Sequence, residues 1–415
     1  MNPLLDPKYL IPDAEAHVMP DGRLYIYGSH DSWTGDNYCS HDYRVFSCDD
    51  PALENWVDHG ESFQNRAEGG QVYWNSGPLY APDAIHKDGK YYLYFCGANS
   101  FEGVAVADTP YGPFEHPKPI EIANGDAIDP AIFVDDDGSA YYLWGQYKLR
   151  GAKLMDDMCT IDESTLQREL LTEMEHGFHE GASLRKRNGK YYIVYCDTVR
   201  GKATCLSYAV SDHPLGPYKK GGVIIDNIYC DPNTWNNHGS IECFHGQWFV
   251  FYHRAVDGKQ YRRRVCAEPI YFNEDGSINE VEMTTNGASA PMDARLPLSA
   301  SRACHLRPTI RIQGQLVDGE VVETVVGESH MWEFCTWAEY KYLDFAQGVS
   351  TCHVRMKGHC KVNLRTDKSG ACGTCIIDSE DFATYSFAVE GLCGVKPIWF
   401  EFVDGDFEFL DFYFD

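Results

Sequence analysis

Along the first 260 residues of this chain, apolar and polar positions alternate in short bursts, with almost no repeat at the three-to-four spacing of a helix. Runs such as HKDGKYYLYF and KRNGKYYIVY are rich in Tyr, Phe, Val and Ile and are broken by DG, NG or HG dipeptides. Alternation puts one set of side chains on each face of a strand, and the Gly-containing dipeptides suit the left-handed backbone of a tight hairpin turn. The pattern predicts an all-β chain.

The bursts belong to a longer repeat. Five phrases share one layout: PDAEAHVMPDGRLYIYGSHD from Pro12, APDAIHKDGKYYLYFCGAN from Ala81, IDPAIFVDDDGSAYYLWGQ from Ile128, HEGASLRKRNGKYYIVYCDT from His179 and NHGSIECFHGQWFVFYHR from Asn237. They open on Asp13, Asp83, Asp129, Glu180 and His238, which lie 70, 46, 51 and 58 residues apart. That spacing suits four strands and their loops, the size of a propeller blade. A five-bladed β-propeller is therefore predicted, with the five openings meeting at similar depth around its axis.

After the fifth phrase, TTNGASAPMDARLPLSAS is poor in bulky apolar residues, which places a boundary near residue 303. Beyond it, YKYLDF, STCHVRMKG, KVNLRTD and PIWFEFVDGDFEFLDFYFD alternate again at sandwich-like intervals. The expected division is a propeller over 1–303 and a jelly-roll β-sandwich over 304–415.

A ring of carboxylates on a shared axis has chemical meaning. Breaking a glycosidic bond with inversion needs one carboxylic acid to protonate the leaving oxygen and one carboxylate to activate water across the bond. A third acid nearby disfavours ionisation of the proton donor by like-charge repulsion. A lone Asp before a strand is more often a turn cap; four acids at one repeat position are a stronger signal than any one of them. His238 is compatible with a core histidine, a substrate donor or a ligand to a cation on the axis. Trp33, Trp74 and Trp144 lie beside ring openings or at strand ends and are candidates to stack on a sugar face, with core packing as the alternative.

Composition narrows the partners. The formal charge of -27 disfavours nucleic acid and anionic membrane surfaces, so a neutral oligosaccharide or polysaccharide is expected, with no nucleic acid and no membrane. No apolar run reaches the length of a bilayer span, and MNPLLDPKYLIPD lacks a signal-peptide pattern. A cytoplasmic protein is expected, or a secreted one if a leader has been trimmed. The 16 Cys lack regular pairing and read as reduced thiols, and the single CxxC at Cys372 and Cys375 stands without the second pair a zinc site would need.

The phrases, their order Asp, Asp, Asp, Glu, His, and the pieces ADTPYGPFE and SDHPLGPYK resemble glycoside hydrolase family 43 over roughly residues 5 to 290. The resemblance implies an inverting enzyme on a five-bladed propeller acting on arabinose- and xylose-containing polymers. By motif, Asp13 would be the general base, Asp129 the residue that orients and tunes the acid, and Glu180 the general acid, with Asp83 in a supporting place. His238 matches the family histidine that often binds calcium, or a water in its place. No cofactor is implied for catalysis, and a structural calcium on the axis is optional. Arg254 and Arg264 fall where the family often places substrate-contacting or structural arginines.

The C-terminal segment is similar to a family 6 carbohydrate-binding module. It departs from it where Phe409 precedes Leu410 and Asp411, a place commonly held by Asn, and where Tyr385 stands near a frequent Trp; packing against the propeller is the alternative to sugar binding. The first functional expectation is an exo-acting α-L-arabinofuranosidase working on arabinoxylan or arabino-oligosaccharides, with β-xylosidase second. Two readings of other classes stand beside it: a glycoside phosphorylase, with Arg262, Arg263 and Arg264 holding phosphate, and a non-catalytic sugar-binding propeller.

Overall fold

The computed structural model describes residues 1–122, 127–329, 336–368 and 370–415. Among these, helix is confined to the short turns Glu163–Thr165, Glu173–His176 and Ala300–Arg302; the rest of the regular structure is β. Five antiparallel sheets follow in chain order, beginning with the strands Glu15–Val18, Leu79–Lys87, Ala131–Val134, Phe178–Arg187 and Ser240–Phe244. The first four sheets have four strands and the fifth has three, in a five-bladed propeller.

The turn dipeptides behave as their chemistry demands. Asp88-Gly89, Asn188-Gly189 and His245-Gly246 all have positive φ at both residues, which gives the hairpin the right-handed twist of its strands. Alternation then sorts the aromatic runs onto two faces. Tyr141 packs between blades 3 and 4 while Tyr142 packs between blades 2 and 3, and Tyr191 and Tyr192 divide in the same way across blade 4. Each blade thus supplies half of two adjacent cores. Burial of each such side chain contributes about 1.5–3 kcal/mol.

Closure comes from the N-terminal residues. Ala14 bridges Gly239 in parallel, joining the inner strands of blades 1 and 5, and the Leu4 amide donates to the Val265 carbonyl at 3.0 Å. Asn2 holds the same edge through Ala267 and Glu268. The segment covers the outer strand of the three-stranded blade, which would otherwise leave a row of unpaired backbone groups.

The second domain is β-rich. Hydrogen bonding links nine strands around a core that includes Phe400, Phe402, Phe409 and Phe412. The domain also begins earlier than residue 303. Met292–Asp293 and Leu298–Ser299 already pair with its strands Trp337–Asp344 and Val395–Phe414, so the stretch that looked like a linker is part of its sheet. Cys372 and Cys375 are free thiols, as are all the described cysteines.

The two domains are joined by buried contacts. Arg264 makes two bonds to Glu323, at 2.6 and 2.7 Å, with both side chains almost fully enclosed. Breaking one half of a buried pair costs about 3–5 kcal/mol, so the pair fixes the register of the joint. The Trp33 ring lies against Gly314, where a Cβ would come within 2.3 Å of it; only glycine permits this approach. Leu10 and Val256 extend the second domain's core into the propeller.

Candidate active site

At one end of the propeller axis a cavity of about 320 Å³ collects Asp13, Asp129, Glu180 and His238, four of the five phrase openings. Its volume is at the small end of the roughly 300–1,000 Å³ common for ligand cavities. Asp13 and Asp129 stand just ahead of their inner strands, with φ of 56° and 53°. Left-handed backbone is unfavourable for a residue with a side chain and here turns both carboxylates to the axis. Glu180 sits where the pairing register of Phe178–Arg187 shifts on either side of it, and a bulge of that kind re-aims a side chain.

Asp83 departs from the expected common depth. It does not line the cavity; it lies further down the axis, where it takes 2.7 Å hydrogen bonds from the Ile132 amide and shares one of the same length with His17. There Glu15, His17 and Asp83 form a buried cluster, and Arg185 supplies its cation through bonds to Glu15 at 3.1 Å, Glu242 at 3.2 Å and the Ala16 carbonyl at 2.7 Å.

The three acids in the cavity have unlike surroundings. Burial by itself would raise the Asp13 carboxyl, but the Arg263 guanidinium at 2.8 Å, with His253 and His238 beside it, outweighs burial and holds it below the ordinary carboxylate range. Ser29 donates to its other oxygen at 2.7 Å. Asp129 is pushed well above its usual value, first by burial and then by the charges of Glu180 and Asp13. The Gly181 amide donates to it at 3.1 Å. Glu180 accepts from the Gln146 amide at 2.7 Å. Asp13 is thus held ionised while Asp129 is pushed towards its protonated form, so neighbouring carboxyls of one cavity are driven apart as acid–base catalysis uses them.

His238 packs on Gly181, where a Cβ would meet its ring at 2.8 Å, and burial lowers its pKa so that the imidazole is neutral. A calcium ion takes six to eight oxygens, waters among them; the one carboxylate oxygen within 4 Å of His238 Nδ1, at 3.9 Å, is that of Asp13, which is paired with Arg263, so an ion beside His238 would draw most of its ligands from water. Among the described residues the one cluster with metal-ligand spacing is that of Glu15, His17 and Asp83, which Arg185 already occupies.

Five further residues proposed from sequence lie away from the cavity lining. Trp33 packs at the domain joint, Trp74 stacks on Phe95 and Trp144 is buried against Tyr142. Arg254 is spent inside blade 5 on Tyr252, Glu268 and the Thr284 carbonyl, and Arg264 on Glu323. In their place stand residues that the sequence did not single out, Tyr38, Gln146, Tyr147, Trp235 and Asn236, together with Arg263, named only as part of a possible phosphate site. Strand alternation was the available signal for the arginines: neighbours face opposite ways, so Arg263 enters the cavity while Arg264 reaches the other domain. Trp235 stood three residues before His238. All three arginines of that run are paired, Arg262 with Asp257, Arg263 with Asp13 and Asp31, and Arg264 with Glu323, which removes the phosphate cradle.

Comparison with known proteins agrees with this geometry. The description "Glycosyl hydrolases family 43" matches residues 2–278. A xylosidase/arabinosidase of Thermoclostridium stercorarium is 31% identical, with 87% of this chain and 86% of that one covered. Xylosidase/arabinosidase 43A of Humicola insolens is 37% identical over 67% of this chain and 98% of its own length. Among solved structures, a family 43 arabinoxylan arabinofuranohydrolase from Bacillus subtilis, in complex with cellotetraose, superposes with a TM-score of 0.60 at 25% identity, covering 100% of this chain and 97% of that one. Ring, acids and relatives converge: the chain belongs to glycosyl hydrolases family 43 and is a glycoside hydrolase of the arabinofuranosidase and xylosidase group.

Proposed function

We propose that the protein is an inverting, exo-acting α-L-arabinofuranosidase that removes arabinose from arabinoxylan or its oligosaccharides. The observation that carries this reading is the small axial cavity in which Asp13, held ionised by Arg263, shares the lining with Asp129 and Glu180. Asp13 takes a proton from the attacking water as its oxygen bonds to the anomeric carbon. The bond to the leaving oxygen breaks, and that oxygen keeps the electron pair and takes the Glu180 proton. Asp129, fixed by the Gly181 amide, orients the acid. Gln146 holds the Glu180 carboxyl in place. No cofactor enters the reaction.

β-Xylosidase action on the same site is the second reading, favoured by relatives that carry both names. Initial rates on nitrophenyl α-L-arabinofuranoside and nitrophenyl β-D-xylopyranoside separate the two. Faster release from the furanoside supports the proposal; faster release from the pyranoside makes the enzyme a xylosidase; silence on both returns the protein to a binding role.

Arg263 gives a pH prediction. Its charge keeps Asp13 ionised at low pH, so in Arg263→Met burial is less opposed and the Asp13 pKa rises. Activity that wild type retains as pH falls is then lost sooner, and the acidic limb of kcat/KM moves up by roughly one to three pH units. An unmoved limb in a folded variant would show that Arg263 does not hold the base.

A further inference from the structure

Glu180 does not enter the cavity alone. In the strand Phe178–Arg187, Phe178 pairs with Asp197 and Glu180 with Cys196, so His179 and Glu180 together oppose one residue of the neighbouring strand. Regular alternation would send two adjacent side chains to opposite faces, and a bulge of two residues against one lifts that constraint. Both side chains line the cavity as a result. The leaving oxygen must approach Glu180 to take its proton, so the group it belongs to lies on the side of the cavity where His179 stands.

The His179 ring is held in a defined setting. It lies between Tyr147 and Trp235, edge-on to both, at 5.3 and 6.0 Å between ring centres. The Tyr147 amide donates to the His179 carbonyl at 2.7 Å, which ties the Tyr147 turn to the bulge. Nδ1 is enclosed and makes no hydrogen bond; the Glu173 carboxylate, on the short helical turn Glu173–His176, stands 3.6 Å from it. With Nδ1 enclosed, Nε2 is the polar atom that the ring offers to the cavity. A proton kept on Nδ1 by Glu173 leaves Nε2 an acceptor in the neutral ring and a donor in the charged one, and a sugar hydroxyl can meet either. A site that offers such a bond discriminates against leaving groups without a hydroxyl.

We propose that His179 is a specificity-determining residue that bonds a hydroxyl of the leaving sugar, with Glu173 as the positioning residue that orients its ring. The inference rests on the glycosidase reading above and holds whichever pentose is released. Tyr147 and Trp235 flank the same place, and their rings suit the apolar faces of a sugar. His179→Phe keeps a flat ring between these two aromatics and removes the nitrogens. His179→Gln restores a polar group near the place of Nε2. Glu173→Ala changes an exposed side chain outside the cavity lining.

The test compares kcat/KM on a phenyl pentoside and on an oligosaccharide that releases the same pentose. Unactivated phenol leaves with help from the acid but carries no sugar hydroxyls, so the ratio of the two substrates reports the hydroxyl contact and not the proton transfer. In His179→Phe the oligosaccharide-to-phenyl ratio is expected to fall about fivefold or more. His179→Gln is expected to recover most of that loss. Glu173→Ala is expected to lower the ratio by a smaller factor, which disappears in the His179→Phe background. An unchanged ratio in folded His179→Phe or in Glu173→Ala, an equal fall on both substrates, or a His179→Gln enzyme no better than His179→Phe overturns the assignment. Wild-type silence on both substrates overturns the glycosidase reading instead, so the two failures are distinct.

Discussion

Asp13→Asn abolishes turnover of natural and activated glycosides alike, with kcat falling by roughly 10²–10⁴-fold, the usual contribution of a positioned acid or base. No leaving group, however good, replaces the activation of water, so nitrophenyl substrates give no relief. The substitution keeps the shape of the side chain, and Arg263 retains its two bonds to Asp31, at 2.9 and 3.0 Å, so the fold has no cause to fail. Measured beside a thermal melt, a folded Asp13→Asn enzyme with more than about a tenth of the wild-type kcat would remove Asp13 from the mechanism.

Glu180→Ala gives the complementary pattern. Turnover of an arabinoxylan oligosaccharide falls by a similar 10²–10⁴-fold, because its leaving alcohol must be protonated as the bond breaks. A nitrophenolate leaves without that proton, so nitrophenyl substrates retain part of their rate. Loss of the Glu180 charge also relieves Asp129, which is raised by burial and next by that charge. A variant that hydrolysed the oligosaccharide at the wild-type rate would refute the assignment. Equal losses on both substrates would give Glu180 a binding role instead of a proton-donating one.

The contrast between the two variants depends on residues whose legibility in the sequence differed. Asp13, Asp129 and Glu180 were visible because each opens a repeated phrase, and closure of the blades brings three of the four repeated acids to one cavity. Asp83 opened a phrase as well and still fell below the cavity, since the register shift between Tyr80 and Asp83 alters where its side chain points. The tryptophans were chosen for their chemistry and position along the chain. Trp144 lies in the middle of an inter-blade core and Trp33 under the second domain, because a large apolar ring near a strand end is buried by whatever packs there.

The chain by itself determined the strands, the turns, the five blades and the acids that face the axis. These follow from local alternation, from the left-handed backbone of Asp-Gly and Asn-Gly, and from a repeat long enough to build one blade at a time. Tertiary structure decided which arginine holds the base, which aromatics border the cavity, where the second domain begins and how it meets the propeller. Asp13 and Arg263 are 250 residues apart, and Arg264 and Glu323 belong to different domains. A strand's pattern states that adjacent side chains face opposite ways; what each face meets is set by elements distant in sequence and by the register in which they pack.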